Sequence, residues 1–190
     1  EWTIEIYGMG EEFDSLTNII NKLSLTDRVA LKGEYNSLSD AYGEKSFYVS
    51  SSLYEGLPLT LLEAMEYKLP VVSYNYHCGP SEIVVDGING ILVNNKSIKS
   101  LAEAMKQLVV NTELRISMSK NTIITTQKFK KEAILKKWYK TLPEDKQEAY
   151  FKEVENWRPR GYPDLVLLVS YNGGFGCTQH TDILKKVGLE

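Results

Sequence analysis

Hydrophobic residues form short continuous runs that alternate with helical stripes over about the first 140 residues. The runs "WTIEIYG", "RVALKG", "SFYVSSS", "PVVSY" and "GILV" predict five strands. Between them, "SDAYGEK" and "PLTLLEAMEYK" predict helices, and one amphipathic stripe precedes "RVALKG". The members of that stripe are Phe13, Leu16, Ile19, Ile20 and Leu23. This alternation predicts an α/β fold with a Rossmann-like parallel sheet and helices on both faces.

Three further helices are predicted after the last strand. Ser97 and Thr112 are the expected N-caps of the first two, and "FKKEAILKKWYKTL" predicts a closing helix that ends near Pro143. We expect Ile134, Leu135 and Trp138 of the closing helix to pack while its lysines are solvated. A helix lying on a membrane surface is the alternative.

The pattern places one domain over residues 1–142 and leaves residues 143–190 unassigned. In the second segment "EDKQEAYFKEVENW" predicts a helix, and "LVLLVSYNGGFG" predicts a buried strand that runs into a glycine-rich loop. Such a loop suits a further nucleotide- or sugar-handling domain. It suits a structured packing extension equally well.

The composition narrows the class of protein. The 190 residues carry a formal net charge of −3, which supplies no basic field for nucleic acid. No apolar stretch approaches the length of a membrane-spanning helix. Cys78 and Cys177 are far apart and lack metal-site spacing, so we expect no metal and a reduced, cytoplasmic setting. The chain begins at Glu1 without a signal-peptide pattern and is expected to be a piece of a longer protein.

The loops after the predicted strands hold the candidate chemistry, because Rossmann-like sheets bind ligands at the carboxyl ends of their strands. Gly8 and Gly10 in "YGMGEEF" follow a strand and begin a helix, and either line a cleft or only form a tight turn. Gly79 and Pro80 would let the backbone approach a ligand closely. His77, in the same loop, is more simply structural, because no nucleophile set accompanies it.

The stretch "EGLPLTLLE" predicts a phosphate site. Glu55, Gly56 and Leu57 lead into Pro58 near the start of a helix. The N–H groups of the next three residues, Leu59, Thr60 and Leu61, are then free and point out of the helix end. The helix dipole favours an anion there.

The two carboxylates of this stretch flank the predicted phosphate. Glu63 would repel a phosphate, so a neutral partner such as the paired hydroxyls of a ribose suits it better. Glu55 can meet a second sugar on the other side of the phosphates. The alternative is that Glu55 is a solvated loop residue and Glu63 a surface residue of the helix.

These motifs resemble a known enzyme family. "SSSLYEGLPLTLLEAMEYKLPVVSY" followed by "CGPSEIVVDGINGILV" is similar to the nucleotide-sugar-binding, C-terminal half of GT-B glycosyltransferases of the retaining family 4 type. Glu55 and Glu63 fit the E-x7-E pattern of that family, and the resemblance extends over about residues 2 to 142. "CGPSEIV" and "NGILV" resemble the subgroup that makes bacterial surface polysaccharides and teichoic-acid sugars.

The resemblance implies a role for each matching residue. Glu63 is expected to bind the ribose, and Glu55 the donor sugar or the positive charge that develops at its anomeric carbon. The backbone of Leu59 and Thr60 is expected to bind the diphosphate, while Gly8 and Gly10 line the donor cleft. The implied donor is a nucleotide sugar, expected to be a UDP-sugar, with no cofactor and no obligatory metal.

The resemblance also implies what this sequence does not contain. In the family a first domain binds the acceptor, here a saccharide or a lipid-linked acceptor, and a segment before "WTIEIYGMG" carries an Arg and a Lys that neutralise the diphosphate. Without them we expect weak nucleotide binding and no activity from these residues alone. Peripheral contact with the inner face of the cell membrane is a further expectation. The alternative is a noncatalytic nucleotide or sugar sensor, or a scaffold module of a polysaccharide assembly system.

Overall fold

The protein has an α/β fold, as predicted. The computed structural model describes residues 2–77, 79–94, 96–144 and 146–149. The strands are β1 Ile4–Tyr7, β2 Val29–Gly33, β3 Tyr48–Ser50, β4 Val71–Asn75 and β5 Gly90–Asn94. The helices are α1 Phe13–Lys22, α2 Leu38–Tyr42, α3 Leu59–Glu66, α4 Pro80–Ile83, α5 Ile98–Val110, α6 Thr112–Thr126 and α7 Lys131–Tyr139. The predicted strand "LVLLV" and its glycine-rich loop lie outside the described residues, as do Cys78 and Cys177.

The described strands form two parallel sheets rather than a single one. β1 pairs with β2, and β3, β4 and β5 pair in that order, all in parallel. Within the described residues β1 pairs only with β2 and β3 only with β4, so no backbone ladder connects the two sheets. Ile4 and Ile6 of β1 are 44% and 37% exposed, which is consistent with an edge strand.

The core of residues 1–122, the first of two compact units, lies around β4. Residues Val71 to Tyr74 of β4 are buried, as expected for a central parallel strand covered on both faces. α3 contributes its fully buried Leu61, Leu62 and Met65. By contrast, the predicted stripe of α1 has no buried residue. The hydrophobic pattern therefore gave the helix correctly but not the extent of its burial.

Two helix starts test the predicted caps. The Ser97 hydroxyl accepts a hydrogen bond from the backbone N–H of Ser100 over 3.2 Å, which confirms Ser97 as the cap of α5. The predicted Thr112 cap is wrong, because Thr112 is already the first residue of α6. Asn111 performs that function, since its Oδ1 accepts from the N–H of Leu114 over 2.9 Å. An asparagine is as good a cap as a threonine, so the sequence alone did not separate the two.

The second compact unit, residues 123–190, contains α7 among its described residues. Ile134 is 1% exposed, and Leu135 and Trp138 are half-buried. Lys136 and Lys137 are exposed. The predicted closing helix is confirmed but is shorter than expected, and its Lys136 and Lys137 are solvated as predicted whereas Lys131 is half-buried. Within the described part of the chain, every helix is too short or too polar to cross a membrane.

Candidate functional site

The start of α3 presents two free backbone donors. Pro58 is the residue that precedes the helix. The N–H of Leu61 donates to the carbonyl of Pro58 over 3.1 Å, so the prediction that this group is free is wrong. The N–H groups of Leu59 and Thr60 donate no hydrogen bond to any described part of the chain. Unpaired donors of this kind at a helix N-terminus favour an anion.

The loop between β4 and α4 packs directly against the start of α3. Gly79 has φ +108°, and a Cβ atom there would lie 2.7 Å from Cδ of Pro58 and 3.1 Å from the carbonyl oxygen of Gly56. The close approach that this glycine allows is therefore to the β3–α3 loop. Pro80, which begins the four-residue α4, is buried beside it. The structure thus brings together Gly56, Gly79, Pro80 and the free donors of α3.

Glu63 is held by a tyrosine from a different helix. The Tyr42 hydroxyl of α2 donates to Oε2 of Glu63 over 3.0 Å. Tyr42 is 5% exposed, and its ring contacts those of Tyr48 and Tyr67 with centroids 5.7 and 5.8 Å away. Burial, followed by the charge of Glu63, raises the pKa of Tyr42 far above its ordinary value. The phenol therefore stays protonated and remains a donor to the carboxylate.

Tyr48 lies near both carboxylates, Glu55 and Glu63. Burial is the largest influence on this side chain and raises its pKa. A hydrogen bond with the Thr60 side chain opposes that change, and the negative charges of Glu55 and Glu63 add to it. Both carboxylates are half-buried. Tyr48 is therefore close enough to each of them to be influenced by both charges.

The β1–α1 loop is open to solvent. Gly8 has φ +139°, and its N–H donates to the carbonyl of Gly33 over 2.8 Å. Neither Gly8 nor Gly10 has an atom within 4 Å of the place a Cβ would occupy. The Tyr7 hydroxyl, at the end of β1, lies 3.0 Å from the carbonyl of Asp40 in α2. α2 therefore contacts β1 through this hydrogen bond and α3 through the bond between Tyr42 and Glu63.

A cavity of about 340 Å³ lies at the opposite, amino ends of β3 and β4. Its lining includes Lys45, Lys68 and Arg115. The position of each of these cations is explained by its surroundings within the fold rather than by a ligand. Lys45 forms an ion pair with Glu5 over 2.7 Å. Lys68 follows the end of α3, and Arg115 donates to the carbonyl of Leu108 in the last turn of α5, where helix dipoles favour positive charge. This cavity is not part of the candidate site.

The predicted turns at Asp86 and Asn89 are held by hydrogen bonds to the backbone. Asp86 accepts from the N–H of Leu92 over 2.9 Å, and Asn89 is buried and accepts from the N–H of Val85 over 2.8 Å. His77 is exposed. No group of three or more His, Cys, Asp or Glu side chains suited to a metal ion is found among the described residues.

Sequence reasoning missed the tyrosines of the site. Tyr42 and Tyr76 are buried and Tyr48 is half-buried, and all three lie near the predicted carboxylates. The chain has 12 tyrosines but only 5 phenylalanines. That excess was the available signal, because a buried tyrosine requires a hydrogen-bond partner that a phenylalanine does not.

Comparison with known proteins extends the sequence resemblance. The family model "Glycosyl transferases group 1" matches residues 1–124. The chain is 32% identical over 138 residues to an uncharacterized glycosyltransferase of Haemophilus influenzae, with 73% of this chain and 39% of the relative covered. It is 36% identical over 136 residues to the poly(ribitol-phosphate) alpha-N-acetylglucosaminyltransferase of Staphylococcus aureus, covering 70% and 27% of the two chains.

Solved structures show the same similarity. The crystal structure of the pneumococcal O-GlcNAc transferase GtfA in complex with UDP and GlcNAc superimposes with a TM-score of 0.65 at 32% identity. The match covers 73% of this chain and 28% of that one. The chain therefore spans well under half the length of these proteins, and the matched part is an α/β domain like the one described above.

Proposed function

This chain belongs to the glycosyl transferases group 1 family, and we propose from that premise that its described residues bind the nucleoside-diphosphate sugar donor of a retaining glycosyltransferase. The observation that carries the proposal is that two free backbone donors at the start of α3 lie between one carboxylate on the preceding loop and one in the middle of the helix in the chain. The N–H groups of Leu59 and Thr60 suit a diphosphate. Glu63 and Glu55 suit sugar hydroxyls on either side of it.

The proposed role of Glu63 is to bind the ribose of the nucleotide. A carboxylate accepts hydrogen bonds only, so its two oxygens can take two vicinal hydroxyls when its orientation is fixed. Tyr42 fixes that orientation by donating to Oε2. Oε1 accepts no hydrogen bond from the described residues and Oε2 keeps a second lone pair, so both oxygens can still accept from the ligand.

The proposed role of Glu55 is to bind the donor sugar, or to stabilise the positive charge that develops at its anomeric carbon. Glu55 comes before these N–H donors in the chain, on the loop that leads into α3, whereas Glu63 comes after them within the helix. Gly8, Gly10, Gly56, Gly79 and Pro80 then form the remaining walls of the donor cleft. We propose no metal ion in the reaction, since the helix terminus already supplies positive partial charge to the diphosphate.

The proposed reaction is transfer of a sugar, with retained anomeric configuration, to a surface polysaccharide or a related saccharide or lipid-linked acceptor. The names of the relatives support this class, because one transfers N-acetylglucosamine to poly(ribitol-phosphate) and another is an amylovoran biosynthesis glycosyltransferase. The GtfA complex contains UDP, which supports UDP as the nucleotide. A cytoplasmic enzyme with peripheral contact to the inner membrane face suits such acceptors, and the exposed lysines of α7 suit that contact.

The experiment that tests this function is a donor screen on the full-length protein. UDP, UDP-sugars and ADP-sugars are titrated by calorimetry, and sugar transfer to a panel of saccharide acceptors is then assayed with and without EDTA. We expect micromolar to millimolar binding of one UDP-sugar, and transfer that EDTA does not abolish. Binding without transfer to any acceptor would instead favour the sensor or scaffold function, and the absence of nucleotide binding would refute the donor site.

A further inference from the structure

The hydroxyl of Tyr76 is a buried polar group without a hydrogen bond. Tyr76 directly follows β4 and is 3% exposed, and its hydroxyl oxygen has no partner among the described residues. Its ring belongs to the buried cluster around β4, which includes Val72, Tyr74 and Leu108. Buried polar atoms in native proteins are nearly always paired, so an orphan of this kind calls for a specific explanation.

A phenylalanine would satisfy the packing of this position equally well. It would fill the same apolar cluster and would carry no hydroxyl to be desolvated. The hydroxyl therefore contributes nothing to the packing of the core and makes no hydrogen bond within it. A polar group that is buried and unpaired before a ligand arrives is suited to binding one.

Tyr76 lies at the same edge of the sheet as the candidate donor site. β3 and β4 are parallel neighbours with Ser50 opposite Ser73, so the loops that follow them leave the same edge of the sheet. Glu55 comes five residues after Ser50 and Tyr76 three residues after Ser73. Burial first, and then the negative charge of Glu55, raises the pKa of Tyr76 to about 12, which is consistent with proximity to that carboxylate.

The chemistry of the two groups indicates what fits between them. An ionised carboxylate only accepts hydrogen bonds, whereas a protonated phenol donates one. A sugar hydroxyl both donates and accepts, so one such hydroxyl can accept from Tyr76 while it donates to Glu55. A phosphate oxygen does not fit this place, because it would be repelled by Glu55.

We propose that the Tyr76 hydroxyl binds a hydroxyl group of the donor sugar together with Glu55, and so helps to determine which sugar the enzyme accepts. This inference rests on the proposed function of the site. Tyr76 lies outside the E-x7-E stretch. Its proposed ligand is the sugar of the donor rather than the nucleotide. A site that is built to bind a hydroxyl rejects an analogue that lacks it, which is how one tyrosine can contribute to donor choice.

The test compares Tyr76→Phe with the parent in the full-length protein. We expect an unchanged or slightly higher melting temperature, because the variant removes an unpaired buried group. Affinity for UDP should be unchanged, and kcat/KM for the preferred UDP-sugar should fall about tenfold, the effect of one lost hydrogen bond at a desolvated site. Tyr74→Phe, in the same buried cluster, serves as the matched control and should leave both quantities at the parent value.

A series of UDP-sugars, each lacking one hydroxyl, identifies the atom that Tyr76 contacts. The parent should lose about tenfold in kcat/KM with one member of the series, and Tyr76→Phe should lose nothing further with that member. If parent and variant lose equally with every member, Tyr76 does not bind the sugar and the inference is wrong. The same conclusion follows if Tyr76→Phe lowers the melting temperature without changing kcat/KM.

The two possible failures are distinguishable. If the parent binds no UDP-sugar, the proposed function fails and this inference fails with it. If the parent binds and transfers a UDP-sugar while Tyr76→Phe behaves like the parent, only the role of Tyr76 is refuted.

Discussion

The hydroxyl of Tyr42 donates a hydrogen bond to Oε2 of Glu63 over 3.0 Å, although the two residues are 21 positions apart in the chain. Tyr42 ends α2, and Glu63 lies in the middle of α3. The bond joins two helices and orients a carboxylate at the edge of the candidate site. It also gives Glu63 a partner before any ligand is present.

Tyr42→Phe is expected to reduce stability and to weaken nucleotide binding. A hydrogen bond to a charged group contributes about 1.5 to 3 kcal/mol, and the lower end applies here because Glu63 is half-exposed. Thermal and urea unfolding measure the loss, and calorimetry with UDP measures the effect on binding. Tyr67→Phe is the control, since that ring also contacts Tyr42 but is more exposed. Equal stability of the two variants would show that the Tyr42 bond does not stabilise the fold.

Glu63→Gln is expected to weaken UDP binding more than Tyr42→Phe does. The amide keeps the shape of the side chain but loses the charge, and a charged hydrogen bond to a ribose hydroxyl is worth about 1.5 to 3 kcal/mol. That corresponds to roughly tenfold or more in affinity, measured by calorimetry. Glu103→Gln, at an exposed position of α5, should bind UDP as the parent does. Parent-like affinity in Glu63→Gln would remove this residue from the nucleotide site.

Glu55→Gln is expected to spare UDP affinity while it strongly reduces sugar transfer by the full-length enzyme. The proposed partner of Glu55 is the donor sugar or its developing positive charge, and UDP contains neither. Loss of a preorganised charge at the reacting centre typically lowers kcat by about 100-fold or more. Calorimetry with UDP and a transfer assay separate the two effects. Unchanged turnover would show that Glu55 does not act in the reaction.

Thr60→Pro is expected to weaken the binding of UDP but not of uridine. Proline keeps a φ that suits the first turn of α3 and deletes one of its two free N–H groups. Uridine lacks the diphosphate, so general damage to the site would weaken both ligands, whereas loss of the N–H affects only UDP.

Thr60→Val is the matched control for that variant. It removes the hydroxyl that interacts with Tyr48 but keeps the backbone N–H. We expect it to bind UDP like the parent. If Thr60→Pro remains folded by circular dichroism and also binds UDP like the parent, the phosphates do not lie at the start of α3.

Gly79→Ala is expected to destabilise the protein more than Gly87→Ala. Both glycines have positive φ, +108° and +76°, which strains an alanine by about 1 to 2 kcal/mol. Only at Gly79 would the new Cβ meet other atoms, at 2.7 Å from Pro58, whereas the space beside Gly87 is open. The difference between the two melting temperatures measures the contact of the β4–α4 loop with the start of α3. Equal losses would show that this contact is loose enough to yield.

The elements of the fold could be predicted because each depends on a local pattern. The period of the apolar residues gave the strands and helices of the described chain, and Ser97 was recognisable as a cap from its place before an apolar stripe. The E-x7-E stretch likewise follows from the local sequence, since Pro58 fixes the helix start and the spacing then fixes where Glu63 lies on α3. The roles of Glu55 and Glu63 remain predictions until the variants are measured.

Only the tertiary structure decided which residues meet around that stretch. The Tyr42 bond to Glu63, the contact of Gly79 with Pro58 and the unpaired hydroxyl of Tyr76 all join segments that are distant in sequence, and a hydrophobic period holds no information on such partners. The division of the strands into two sheets was also invisible, because pairing depends on which edges meet in space. The sequence by itself thus determined the elements and the chemistry of one loop, and the packing of that loop against its neighbours determined how each group is oriented.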